Sequence, residues 1–282
     1  MKKILVPTDF STEAQYALDF ARQFAKKVGA EISLLHVLEV PYGSFSVMGE
    51  VVTDYSFEHL YEAQLIQQTQ RRLKELTAEL EKGGIKADEK MIFGNPFIHI
   101  KENITAQKVD LVIQGSKGAS GLSEIFIGSN AERVIRNAKC PVITVKGKSD
   151  LEDIKSMVLA TDASAEQDLL VPKIKEFQSL LGLNLHLVRV RTVHNLLSVE
   201  DAKSQLSNFA ERNKFENYTI GVLEAEFTDE GILDFALDNN IHMIGMGTHG
   251  RTGLAHFFGG SITEDVANHS HIPILSIPIP KS

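Results

Sequence analysis

The chain opens with a short apolar run, a polar turn carrying Asp9, an amphipathic stretch and a second apolar run, in KILVPTDFSTEAQYALDFARQFAKKVGAEISLLHVLEV. Short apolar runs between turn residues predict strands, and apolar positions recurring every three or four residues predict a helix. The same order returns in mid-chain as SMVLATDASAEQDLLVPKIKEFQSLLGLNLHLVRV, with Asp162 in the place of Asp9. Each copy then continues as helix, strand (KADEKMIF; YTIGVLEAEF), helix (PFIHIKENITAQKV; DEGILDFALDNN), strand (DLVIQGS; HMIGMGT), glycine-rich loop, helix and closing strand.

The chain is therefore two copies of one unit. Setting residues 115–141 beside 247–273 without gaps makes 10 of 27 positions identical. The copies differ in length: Asp9 to Gly115 spans 106 residues and Asp162 to Gly247 spans 85, a difference of 21. Much of the excess lies in PYGSFSVMGEVVTDYSFEH, read as a loop leading into a long helix over 58–84. Strands alternating with helices imply right-handed crossovers and a mainly parallel sheet covered on both faces. The expected fold is α/β, two tandem open parallel sheets with helices on both faces. The polar stretch KGKSDLEDIK divides it into residues 1–148 and 149–282. In such sheets ligands collect at the carboxyl ends of the strands, where the strand order reverses. Asp9, Asp162 and both glycine loops follow strands at that edge.

Composition excludes some functions. The hydrophobic and charged fractions, 43% and 23%, are those of a soluble globular protein, and no apolar run approaches a membrane span. A net charge of −8 with no Lys/Arg cluster argues against a nucleic-acid partner. One cysteine, Cys140, forbids an internal disulfide and fits a reducing cytoplasm. Its place before Pro141, at the entry to an apolar strand, fits a buried thiol rather than a reactive one.

The chemistry lies in the glycine loops. Gly245-x-Gly247-x-x-Gly250 imitates a dinucleotide fingerprint, but it stands near the end of the chain, and Gly245 aligns with Ile113. What both copies share is Gly-x-x-Gly, nine residues, then Gly-Ser: Gly115, Gly118, Gly128 and Ser129, and Gly247, Gly250, Gly260 and Ser261. Glycines let backbone amides approach an anion, and a helix N-terminus adds free amides and a favourable dipole. Ser129 to Glu132 and Ser261 to Glu264 both fit a capping box. Lys117, His249 and Arg251 supply positive charge, and no Walker lysine follows the glycines. Tight turns and plain helix capping by Ser129, Ser261, Asp9 or Asp162 are the structural alternatives. A carboxylate beside phosphate is repulsive, so a ligand role puts Asp9 and Asp162 at base, ribose or cation.

On these residues the chain resembles a tandem universal stress protein. The carriers are the strand ends VPTDFS and LATDAS, the repeated glycine-serine spacing, and the closing strands CPVITV and IPILSI. The glycine-serine motif resembles the ATP-binding subclass, whose fold is a Rossmann-like, adenine-nucleotide alpha-hydrolase-like sheet with a last strand that pairs across a dimer interface. The resemblance implies ATP, with Mg²⁺ as its companion ion. It implies phosphate contacts from the eight glycine-serine residues, places Asp9 and Asp162 near the adenosine, and sets the backbones of Val37 and Val190 beside the base; Arg251, from its charge, joins the candidate binding residues. It also implies an internal pseudo-dimer joining PVITV to PILSI, compatible with a further homodimer. Asp110 matches a family aspartate at the start of the fourth strand, where the second copy has His242. The loop GTHGRTG is closer to the family pattern than its counterpart and favours the second half as the occupied one.

Three functions compete. The first is a cytoplasmic stress-response protein binding ATP in one or both halves, with hydrolysis slow or absent, because no Ser/His/Asp order, H-E-x-x-H or C-x-x-C is present. The second is a nucleotide-free module docking partners through its paired sheets, for which bulky or acidic residues would be expected in the glycine loops. The third, a nucleotidyl transferase, requires an H-x-G-H-like signature where TDFS and TDAS stand. His269-x-His271 is the one candidate zinc pair, with solvent-facing loop histidines as the commoner alternative.

Overall fold

The computed structural model describes residues 1–39, 56–116, 128–193, 197–248 and 262–279. The first half contributes β1 (Lys3–Pro7), α1 (Thr12–Val28), β2 (Glu31–Leu38), α2 (Ser56–Lys82), β3 (Ala87–Phe93), α3 (Pro96–Ala106), β4 (Leu111–Gly115), α4 (Ser129–Asn137) and β5 (Val142–Val145). The second contributes β6 (Ser156–Ala160), α5 (Val171–Leu181), β7 (Asn184–Arg191), α6 (Val199–Arg212), β8 (Tyr218–Glu224), α7 (Thr228–Asp238), β9 (Met243–Thr248), α8 (Ile262–His269) and β10 (Ile274–Pro278).

The strands form one ten-stranded sheet in the order β3-β2-β1-β4-β5-β10-β9-β6-β7-β8. Every neighbouring pair is parallel except β5 and β10, which run antiparallel with Ile143 opposite Leu275. The PVITV and PILSI strands thus meet at the centre, and each half's five strands are one arm of a continuous sheet.

Strand alternation divides the core into two layers. On one face Ile32 and Leu34 pack with Phe20 and Phe24 of α1, Leu73 and Leu80 of α2, Phe177 of α5 and Phe209 of α6. On the other, Leu5, Leu35 and Val112 pack with Ile100 of α3, Val134 of α4, Ile232 of α7 and Val266 of α8. Both layers run across the central seam. Phe24 and Phe177 meet there with ring centroids 6.0 Å apart, and the linker docks by Leu151 N–H donating to Gln23 Oε1 at 2.8 Å.

One element departs from the repeat. The first helix of the opening half is α-helical from Thr12, capped by Ser11 Oγ, which accepts from Ala14 N–H. Its counterpart starts as a 3₁₀ turn over Ala165–Leu170 and becomes α-helical only at Val171. The cause is Pro172. Lacking an N–H, proline is excluded from a helix interior but suits a first turn, so the α-helix restarts around it. Among the described residues no helix is long and apolar enough to cross a membrane.

Candidate functional site

In each half the first strand runs into a turn at the point where the strand order reverses. In the first, Thr8 N–H donates to Leu35 O, Phe10 N–H to Thr8 Oγ1, and Ser11 N–H to Asp9 Oδ1 at 3.0 Å. In the second, Thr161 N–H donates to Val188 O, Ala163 N–H to Thr161 Oγ1, and Ser164 N–H to Asp162 Oδ1 at 2.9 Å. Phe10 and Ala163 both take positive φ, 64° and 58°. Asp9 and Asp162 therefore close Asx turns rather than capping the helix, because the cap position of the first helix is taken by Ser11.

A cleft of about 160 Å³ opens above the ends of β1 and β4. It is lined by Thr8 and Asp9 of the turn, Leu35 and Val37 of β2, Ile100 of α3, Gln114 and Gly115 of β4, and the residues that begin α4. Five residues expected from sequence converge here: Asp9, Val37, Gly115, Gly128 and Ser129. Gly115 has a packing reason as well. A Cβ there would lie 2.7 Å from the Glu13 backbone carbon, so only glycine lets α1 close on β4.

The glycine loop begins and ends at one point, because Gly128 N–H donates to Ser116 O at 2.7 Å. The expected capping box does not form. Gly128, not Ser129, is the N-cap, no side chain among the described residues caps the helix, and Glu132 pairs with Arg136. Glycine at the cap supplies no side-chain acceptor to the first turn's amides, and Gly128, Ser129, Asn130 and Ala131 line the cleft. A helix start of this kind presents free amides and a favourable dipole to an anion. Gln114, buried in the strand beneath, donates to Ala131 O at 3.0 Å and Thr144 Oγ1 at 3.4 Å, fixing the helix start on the sheet.

Sequence reasoning missed Ala14, Ile100 and Gln114. Gln114 alone carried a signal, a polar residue inside an apolar strand. Gly118, Gly250, Arg251, Gly260 and Ser261, with Lys117 and His249, lie outside the described residues. Of the second set, Asp162, Val190 and Gly247 are described. Val190 is buried under α7, where a Cβ on Gly231 would lie 2.8 Å from Val190 Cγ1. Val37, its counterpart, stays half-buried at the cleft wall.

The Asp110-to-His242 difference does not touch the cleft. Asp110 Oδ2 accepts from Lys2 N–H and Lys3 N–H at the opposite end of the sheet, and His242 Nδ1 meets Ser156 Oγ in the same place. Burial disfavours the Asp110 charge, yet these two amides hold its carboxyl below the usual carboxylate range. Burial pushes the Cys140 thiol up to about 12, the state of an inert core thiol. His269 and His271 are exposed, and among the described residues no three His, Cys, Asp or Glu side chains gather as a metal site.

The family model of the Universal stress protein family matches residues 1–146 and again 153–278. The universal stress protein MJ0531 of Methanocaldococcus jannaschii is 37% identical over 146 residues, covering 51% of this chain and 82% of its own. Slr1230 of Synechocystis is 25% identical over 98% of this chain and 99% of its own. Among solved structures, a universal stress protein from Archaeoglobus fulgidus superposes with a TM-score of 0.76 at 23% identity, covering 99% of this chain and 98% of that one, and shows the shared fold.

Proposed function

The chain belongs to the universal stress protein family, and on that footing we propose that it binds an adenine nucleotide, ATP, at the glycine loop of one or both halves. The observation that carries this reading is the convergence of Asp9, Val37, Gly115 and the uncapped start of α4 on one cleft. In this reading the amides of Ser129 and Asn130 meet phosphate, the wall at Leu35 and Val37 meets the base, and Asp9 lies toward the ribose. The loop residues Gly118, Gly250, Arg251, Gly260 and Ser261 belong to the same proposal, as does Mg²⁺ bound with the phosphates. Asp9 is the only ionisable group among the described lining residues, and its carboxylate already holds the Ser11 amide. That arrangement favours holding ATP over hydrolysing it. A cytoplasmic protein of two units, dividing between 148 and 149, completes the reading.

The test is to denature freshly purified protein, identify any released nucleotide, and titrate the refolded, nucleotide-free protein with ATP and Mg²⁺. Ser129→Glu puts a carboxylate where phosphate is expected, at a position that suits acidic residues, so folding is preserved. We expect bound adenine nucleotide, and at least tenfold weaker binding at this cleft in Ser129→Glu with unchanged thermal stability. No nucleotide and no ATP binding would sink the reading and leave a module that docks partners through its joined sheets.

A further inference from the structure

Gln114 and Thr144 stand opposite each other on β4 and β5, both buried, and Gln114 Nε2 donates to Thr144 Oγ1 at 3.4 Å. The same nitrogen donates to Ala131 O at 3.0 Å, in the first turn of α4. The corresponding pair of the second half is Met246 opposite Ser276. Methionine offers no donor, and Ser276 Oγ is buried without a hydrogen-bond partner among the described residues. Strand and helix are joined the other way there: Thr263 Oγ1, in the first turn of α8, donates to Gly247 O at 3.2 Å. The fold therefore does not require the glutamine.

What sets the glutamine joint apart is the group of the helix that it holds. A Ser, Thr or Asp cap takes one of the first-turn amides, which are the groups a phosphate needs. Gly128 supplies no such cap, and Gln114 holds the turn from the strand beneath through a carbonyl, using none of its N–H groups. The loop end is fixed a second time by Gly128 N–H donating to Ser116 O at 2.7 Å. Ser129 and Asn130 lie between these two bonds and line the cleft. Donors already fixed in place bind an anion more tightly than donors that must first be ordered. We propose that Gln114 is a positioning residue for the phosphate chain: its carboxamide fixes the Ser129 and Asn130 amides at the cleft and so sets affinity for the phosphates rather than for the nucleoside. This rests on the reading that the cleft binds ATP.

The experiment titrates the full-length, nucleotide-free chain with ATP and with adenosine by calorimetry, at the site that Ser129→Glu weakens. The variants are Gln114→Met, which copies the second half, and Gln114→Met/Thr144→Val, which also removes the hydroxyl that the first change orphans. Folding of each is checked by circular dichroism. Wild type should bind ATP more tightly than adenosine. Both variants should bind ATP about tenfold more weakly, the loss of one well-placed hydrogen bond, and adenosine within about twofold of wild type. Unchanged ATP affinity in either folded variant overturns the inference. So does an equal loss for ATP and adenosine, which marks a merely structural role, or equal affinity of wild type for the two ligands. No binding of either ligand by wild type overturns the parent reading, and this inference with it.

Discussion

The two halves repeat one backbone but hold its ligand-edge turn by different means. In the first, His36 Nδ1 lies 2.8 Å from Thr8 O, its ring stacks on Phe10 at 4.7 Å, and the Arg72 guanidinium lies over the Phe10 ring at 4.3 Å. In the second, Arg189, at the position of His36, donates to Asp162 O at 2.7 Å, while Arg212 donates to Ala163 O and Ser164 O. Backbone hydrogen bonds within the turn are the same in both; what surrounds them is not. A duplicated fold keeps the geometry its topology demands and is free to change the groups that hold it. Identity at the turn therefore says less about a shared ligand than the residues beside it, where Ala14 of the first half has Gln167 as its counterpart in the second.

The comparison can be broken at the seam that makes the halves one body. Phe24 and Phe177 are fully buried on opposite sides of it, and Phe24→Ala should cost about 3–5 kcal/mol in urea unfolding. If the halves are one cooperative unit, a single transition moves; a second transition left in place would show them to be independent. Next in size is a matched pair of glycines. Gly115→Ala meets the Glu13 backbone and should cost about 3 kcal/mol, whereas Gly247→Ala meets the side-chain end of Leu170, which can shift where a backbone cannot, and should cost about 1 kcal/mol. Equal losses would contradict a backbone contact at Gly115 set against a side-chain contact at Gly247. A smaller contrast lies at the caps: Ser11→Ala should cost about 1 kcal/mol, while Ser164, which makes no side-chain cap bond, should be replaceable by alanine within about 0.5 kcal/mol.

The smallest effect is a pH dependence. Burial lowers the His36 pKa, with the Arg72 charge acting in the same sense and Thr8 O and Asp9 opposing it. The unfolded chain then binds the proton more tightly than the folded one. The contribution is fully present above the ordinary histidine value, about 6.5, and is lost as pH falls toward the lower folded value. Burial lowers the His186 pKa too, so some acid sensitivity remains without His36. Unfolding midpoints at pH 7.5 and 5.5 should converge partly in His36→Gln, and an unchanged difference would show that the imidazole does not titrate in the fold.

Most of the architecture was legible because duplication let each copy check the other. The alternating strands and helices, the shared glycine-serine spacing and the two apolar closing strands lead to the observed sheet. Errors arose where a single residue redirects the backbone. Pro172, inside a stretch read as helix, forces a 3₁₀ turn, and its sequence signal was present but hidden by the match to the first copy. Capping boxes at Ser129 and Asx turns at Asp9 share residue types with helix caps, so only the backbone angles separate them. Ala14 was illegible as a site residue for another reason. A wall position is defined by what lies across it, and that neighbour, Gly115, is far away along the chain.

The antiparallel meeting of β5 with β10 carries one last consequence. Because both strands belong to one chain and a short linker joins the halves, the pairing is governed by a local concentration on the order of millimolar rather than by the amount of protein in solution. Dilution cannot separate the halves. A foreign unit offering a similar closing strand must displace a tethered competitor to reach either edge, so exchange with separate single-unit relatives should be slow.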